Sequence, residues 1–219
     1  MFTPQMGLLG SAIAFVGTHF LMSHPLRAPM VRAIGQGSFR GVYSLVSVIT
    51  FGAMIYFYRA IGREAIMWTA GDVLWIVATL LMWLGSILFV GSFAGNPALV
   101  GAPGPRGGPT GALRITRHPM MWGFALWAIC HVIVVGTVKA VVLDGAILLL
   151  ALGGSLGQDR KKAALMGERW HEWTAQTAFI PFTRGIGNPG AVALIGGTVL
   201  FFLATWLHPI PAGFWRWLS

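Results

Sequence analysis

The chain is poor in charge. Only 10% of its 219 residues are Asp, Glu, Lys or Arg, and just six of those are acidic. An ordinary soluble domain carries roughly 25% charged residues. Six carboxylates cannot help to coat a soluble globule of this size, so a soluble protein is excluded, and with it the disordered and collagen-like classes. Cysteine is also scarce. Cys130 stands alone, which rules out an internal disulfide framework and leaves no reading of redox compartment. No internal repeat is visible, and no linker is long enough to divide the chain. It reads as one domain over residues 1–219.

What is present is apolar. Hydrophobic residues make up 56% of the chain, with 30 Gly and 10 Trp, and the mean hydropathy is +0.72. Trp favours membrane interfaces, and Gly lets helices approach closely in lipid. The net charge of +9 reads as loop charge of a membrane protein rather than as a nucleic-acid surface. Membrane lipid is therefore the expected partner, and nucleic acid is not.

A bilayer-spanning helix needs about 20 predominantly apolar residues. Six segments approach this, near residues 5–22, 42–58, 73–94, 120–137, 140–157 and 191–207, and within them only Asp144 carries a permanent charge. The fold class expected is all-α, an integral membrane helical bundle of about six transmembrane helices. No Lys or Arg precedes the first segment, and its apolar run exceeds a signal-peptide core, so it is expected to remain as a helix. The fourth and fifth segments are joined by Val138-Lys139 alone and should form a tight antiparallel pair. Asp144 is expected to pair with Lys139 at the interface.

Basic residues set the expected orientation. Eleven fall after the first, third and fifth segments, including Arg27, Arg117 and the run Arg160-Lys161-Lys162, against four on the other side (Arg59, Arg63, Lys139 and Arg216). The positive-inside rule then places both termini on the non-cytoplasmic side, in a bacterial inner (cytoplasmic) membrane. The Gly- and Pro-rich stretch 94–111, with Asn96-Pro97 and Ala102-Pro103-Gly104-Pro105, should be a cytoplasmic loop without helix. Residues 160–173 read as one amphipathic helix on that face, with Trp170 and Trp173 a turn apart.

Function must come from polar groups at membrane depth, where burial is costly. Of six histidines, His24, His118 and His208 each precede Pro and are expected near the membrane surface, within reach of water. His171 belongs to the amphipathic segment. His19 and His131 lie inside apolar helices. Each could simply bond a hydroxyl or a backbone carbonyl, but two imidazoles within one small bundle suit a cofactor held between helices, and neutral imidazole ligates Zn, Cu, Fe or haem iron. Zinc asks for three or four ligands with Cys or carboxylate close by; a haem held by one or two His fits better. A depth offset of roughly 12 Å, from 1.5 Å rise per residue, separates His19 from His131, and His208 is the rival partner for His131. Cys130 points about 100° away from His131 around the helix and reads as a small buried hydrophobe.

A set of short strings recurs in order. His19 is followed by Pro25-Leu26-Arg27 and Phe39-Arg40-Gly41-Val42-Tyr43-Ser44. Arg117-His118-Pro119 is followed by Gly123, Leu126-Trp127 and His131. Asp159-Arg160 leads to Gly167-Glu168 and Ile180-Pro181-Phe182, and the chain closes with Leu207-His208-Pro209. Over about residues 17–209 this resembles the NnrU family of bacterial membrane proteins, which is related to 15-cis-zeta-carotene isomerase. The resemblance implies an integral membrane bundle. It also implies haem b with axial histidines at His19 and His131. Separately, Pro119 suits the first turn of the fourth helix, which sets Arg117 and His118 at the membrane surface, able to hold a propionate or phosphate. The isomerase branch turns one cis double bond of a long polyene to trans; the NnrU branch is associated with denitrification and the handling of nitrite and nitric oxide. An apolar or gaseous small-molecule ligand follows from either. The isomerase has a cysteine three residues before the second histidine, where this chain has Ala128, so ligand switching does not carry over. Nitrogen-oxide redox physiology ranks first on this resemblance and polyene isomerisation second. A third alternative is an S-adenosylmethionine-dependent membrane methyltransferase, from the likeness of His118-Pro119 and Trp170, Trp173 with Ile180-Pro181-Phe182; there one acid of the usual pair is replaced, by Gln158 beside Asp159.

Overall fold

The computed structural model describes residues 2–99, 102 and 104–218. Among these there are seven α-helices, two 3-10 turns and no strand: α1 (Pro4–Ser23), α2 (Arg27–Ala60), α3 (Asp72–Gly91), α4 (Pro119–Val135), α5 (Val138–Met166), α6 (Glu168–Gln176) and α7 (Ala191–Trp206), with 3-10 turns at Gly111–Arg114 and Gly213–Trp217. Each of the six apolar segments is helical. α1, α2, α3 and α5 are long and apolar enough to cross a membrane, while α4 and α7 are shorter apolar helices. At 1.5 Å per residue these two reach about 25 Å, slightly less than a hydrocarbon core. The protein is an all-α membrane bundle.

Two compact units compose it. The first contains residues 1–69 and 135–150, the second residues 70–134 and 151–219. In the first unit α1 packs on α2. α1 starts cleanly: Thr3 Oγ1 accepts a hydrogen bond from Met6 N at 3.3 Å, and Pro4 fills the first turn, where no N–H is needed. α2 begins earlier than expected. The segment from Arg27 is helical and kinks only at Gly35, whose φ of 78° few other residues adopt. On α2, Leu45, Val48 and Ile49 are 60% or more exposed, a face suited to lipid rather than water.

The same unit corrects the expected ion pair. Lys139 does not meet Asp144. Residues five apart lie about 140° apart around a helix, so the two side chains leave α5 in different directions. Asp144 is buried, while Lys139 donates through Nζ to the Gly62 carbonyl, donates through its backbone N–H to Glu64 Oε2 at 2.9 Å, and lies over the Tyr58 ring. The link between α4 and α5 is Gly136-Thr137, two residues earlier than Val138-Lys139. At Gly136 (φ 61°) a Cβ would strike the Trp68 carbonyl.

In the second unit α3 packs on α7, and both 3-10 turns lie against α3. Small residues allow these contacts. A Cβ at Gly123 would lie 3.0 Å from the Gly85 carbonyl oxygen, and one at Gly197 would strike the Ile87 backbone, the close approach that small residues permit in membrane helices. The loop after α3 carries no helix among its described residues before Gly111; Val100, Gly101 and Pro103 of the expected loop lie outside the described residues. The expected helix over 160–173 is two helices. α5 runs on to Met166, Gly167 (φ 56°) turns the chain, and α6 begins at Glu168. Trp170 and Trp173 face inward, 1% and 4% exposed, against Ala98 and Leu113.

Candidate functional site

The second unit holds two polar centres, one at each end of α4. The first is built on Arg117-His118-Pro119. Pro119 opens α4, so the two residues before it sit just outside the helix. They are clamped there by the stretch that follows α6. Arg117 N–H donates to Ala178 O at 2.8 Å, Phe182 N–H to Ile115 O at 3.1 Å, Thr116 Oγ1 to Phe179 O at 2.7 Å and Trp122 Nε1 to the same carbonyl at 2.8 Å. Ile180-Pro181-Phe182 and Arg117-His118-Pro119, separate in sequence, are thus two sides of one clamp.

The clamp aims both side chains at Asp159, on the polar extension of α5 beyond its apolar run. His118 Nε2 donates to Asp159 Oδ1 at 2.8 Å. Arg117 donates to Oδ2 through Nε at 2.9 Å and through Nη2 at 2.7 Å. The Phe179 ring covers both partners, 5.4 Å from the His118 ring and 5.3 Å from the guanidinium. Burial alone would raise the Asp159 carboxyl, but the hydrogen bonds and charges of His118 and Arg117 outweigh it and hold the group below the ordinary carboxylate range. The expectation that water satisfies His118 at the membrane surface is therefore corrected. The residue is 2% exposed and its side-chain partner is a carboxylate. The surrounding cavity, lined by Asn96, Met121 and Gln158 among others, is about 20 Å³, room for a single water.

The second centre surrounds His131, in the C-terminal half of α4. Its Nδ1 bonds the Trp127 carbonyl one turn back, at 2.8 Å, and its ring lies 4.0 Å from the Trp127 ring. A carbonyl can only accept, so the proton is on Nδ1 and the lone pair is on Nε2. Among the described residues no hydrogen bond reaches that Nε2. The ring of His208, just past the end of α7, lies 6.2 Å away. Cys130, next in sequence to His131, points elsewhere; its thiol donates to Ala78 O at 3.3 Å.

His19 belongs to the first unit. Its Nδ1 bonds Phe15 O at 2.6 Å, which again leaves the lone pair on Nε2, and Ser47 Oγ stands 3.1 Å from that nitrogen. Ser47 also bonds Tyr43 O at 2.7 Å. One hydroxyl proton cannot serve both acceptors, so His19 Nε2 is incompletely held. Both intramembrane histidines thus carry the arrangement of a ligating imidazole, with Nδ1–H fixed on a backbone carbonyl and Nε2 left to bond. Among the described residues no group of three or more His, Cys, Asp or Glu converges on a metal-sized space. The donor set fits a group bound by one or two imidazoles.

A sequence model of a family described as NnrU protein matches residues 7–215. The chain belongs to the NnrU family. Among curated relatives, this NnrU-family chain is 25% identical over 189 residues to the chloroplastic 15-cis-zeta-carotene isomerase of Arabidopsis thaliana, which covers 82% of the chain and 50% of the isomerase. The chloroplastic 15-cis-zeta-carotene isomerase of Zea mays is 26% identical over 189 residues, covering 81% and 50%. The chain spans about half the length of the curated relatives it matches. No solved structure is similar enough to count as a match.

One site relationship in this NnrU-family chain was not visible in the sequence. Asp159 was noted only within a motif and never as the partner of His118; its position directly after an apolar run, as a lone acid before three basic residues, was the available signal. His208, expected as the rival partner for His131, does lie beside it, the ring centroids 6.2 Å apart.

Proposed function

We propose that this NnrU-family protein binds haem b within the membrane and acts as a cis–trans isomerase of a long apolar polyene. The observation that carries the reading is the state of His131, a histidine on an apolar helix with Nδ1 committed to Trp127 O and Nε2 left to bond. Two 15-cis-zeta-carotene isomerases among the relatives support the substrate class. His131 would hold the group. When bound, the group supplies an iron whose redox state and axial position can change. The chain itself does the rest. Trp127 fixes the imidazole tautomer, and the apolar helix faces exclude water from the polyene. Arg117 and His118, bonded to Asp159, lie at the other end of α4 and fix its entry against the polar end of α5. On the positive-inside reading that end would be cytoplasmic, in a bacterial inner membrane, with both termini outside.

Nitrite or nitric oxide redox physiology is the second reading. It is favoured by the near-complete match to NnrU, residues 7–215, against a half-length match to the isomerases. A diatomic gas, like a polyene, would reach the iron once a ligand left.

The test starts with protein purified in detergent from haem-replete cells. A b-type absorption spectrum is expected, and colourless protein would end the haem reading. The reduced holoprotein is then given a cis-zeta-carotene and the products are separated by chromatography. Formation of the trans isomer supports isomerisation. No conversion, with nitric oxide still shifting the spectrum, would move the function to the nitrogen-oxide reading.

A further inference from the structure

His118 has a second ring nitrogen that the Asp159 pair does not use. Its Nε2–H is committed to Asp159 Oδ1 at 2.8 Å, so the neutral ring carries its lone pair on Nδ1. That Nδ1 is buried and makes no hydrogen bond among the described residues. A second proton there would be a buried donor without an acceptor, which is costly. An unused lone pair thus sits in a side chain that is 0% exposed.

His118 lines the cavity of about 20 Å³ at the entry of α4. Two polar side chains on its wall are already engaged. Asn96 Oδ1 accepts from Ala98 N at 2.9 Å, and Gln158 Nε2 donates to Ala98 O at 2.7 Å. Met120 and Met121, both half-buried, line the same cavity. Trp122 N–H bonds the His118 carbonyl at 3.0 Å, so helical spacing runs from His118 and sets Met121 on its face of the helix. A water asks for two to four polar partners, and a thioether is a weak one. One imidazole nitrogen and two thioethers around a space of this size suit a soft metal ion better.

The donor types select the ion. Thioether ligands favour Cu(I), whereas zinc asks for three or four ligands drawn from His, thiolate and carboxylate. Three neutral donors also match a single positive charge. Asp159 stands behind the imidazole, on Nε2–H, where a carboxylate orients a ligating histidine and raises its basicity. We propose that His118 Nδ1 and the thioethers of Met120 and Met121 form a Cu(I) site at the entry of α4. It lies at the opposite end of that helix from His131 and does not depend on the haem reading.

The experiment uses the full chain purified in detergent, given Cu(I) with a reductant in the absence of oxygen and challenged with bathocuproine disulfonate as a coloured competitor. Wild type is expected to hold one Cu(I) per chain against the chelator. X-ray absorption at the copper edge should show one nitrogen and two sulfur neighbours, and Zn(II) should wash out. Met120→Leu and Met121→Leu nearly conserve side-chain volume and leave the His118–Asp159 bond intact. Each should melt like wild type yet lose one sulfur neighbour and release its copper to the chelator. His118→Ala should hold none. Folded wild type that retains no Cu(I) would leave only a water in the cavity and overturn the proposal. Copper kept by both leucine variants, a spectrum without sulfur, or Zn(II) held as tightly as Cu(I) would overturn it as well. Haem content decides none of these outcomes, since a colourless protein is loaded with copper in the same way.

Discussion

His118 Nε2 and Asp159 Oδ1 meet at 2.8 Å although 41 residues separate them, and Arg117 closes on the other carboxylate oxygen at 2.7 Å. The pair ties the entry of α4 to the polar end of α5. His118 is enclosed and Asp159 nearly so, their side chains 0% and 16% exposed. Removing one member strands the others, and breaking a buried pair in this way costs on the order of 3–5 kcal/mol. Asp159→Asn should therefore lower thermal stability in detergent by several degrees; a melting curve matching wild type would show that the network contributes little.

The same carboxylate sets a pH response. Its folded-state pKa lies below the ordinary value, so its stabilisation is present above the unfolded carboxylate pKa of about 4 and is lost as pH falls through the lower folded value. Between pH 5 and pH 2, wild type should lose melting temperature more steeply than Asp159→Asn, which has no carboxyl to titrate there. Parallel curves for the two proteins would assign the acid response to other groups.

Orientation is open to a direct test. Reporter fusions at Ala70, between α2 and α3, and at Gly104, between α3 and α4, should lie on opposite sides, with Gly104 cytoplasmic. Both reporters on one side would mean that α3 does not cross.

How far the sequence alone reached can be judged residue by residue. Segments such as 73–94 and 191–207 were legible because a bilayer demands a continuous apolar run, and composition records that directly. Pro119 as the start of α4 was legible because its missing N–H is harmless only in a first turn. The break at Gly167 was not, since periodicity continues across it and only the positive φ reveals the turn. The burial of His118 was hidden as well. A His-Pro pair at a helix entry looks solvent-facing until the clamp from Thr177 to Phe182 is in place. His131 stood out because it is polar on an apolar helix.

Helix contact in the second unit gives a prediction with an internal control. A Cβ at Gly197 would collide with the Ile87 backbone, whereas one at Gly10 meets nothing within 4 Å. Backbone cannot yield as a side-chain tip does, and overpacking costs typically 1–3 kcal/mol. Gly197→Val should lower the melting temperature and the yield of folded protein, while Gly10→Ala should leave both near wild type. Equal behaviour of the two variants would argue against the tight α3–α7 contact.

Cys130 and His131 are adjacent, and thiolate and imidazole are both competent iron ligands, so which one the bundle presents can be decided by substitution. The helix settles their directions: successive residues point about 100° apart. Cys130 is buried with its thiol on Ala78 O, while His131 keeps Nε2 unbonded. His131→Ala should therefore lose most of its haem during purification. Cys130→Ala should retain it, with the oxidised and reduced absorption bands unmoved. The entry of α4 should behave differently from both: His118→Ala is expected to hold haem less tightly without loss of axial ligation. A shifted Soret band in Cys130→Ala, with haem retained in His131→Ala, would transfer the ligand role to the thiol and require α4 to be rotated by about a quarter turn.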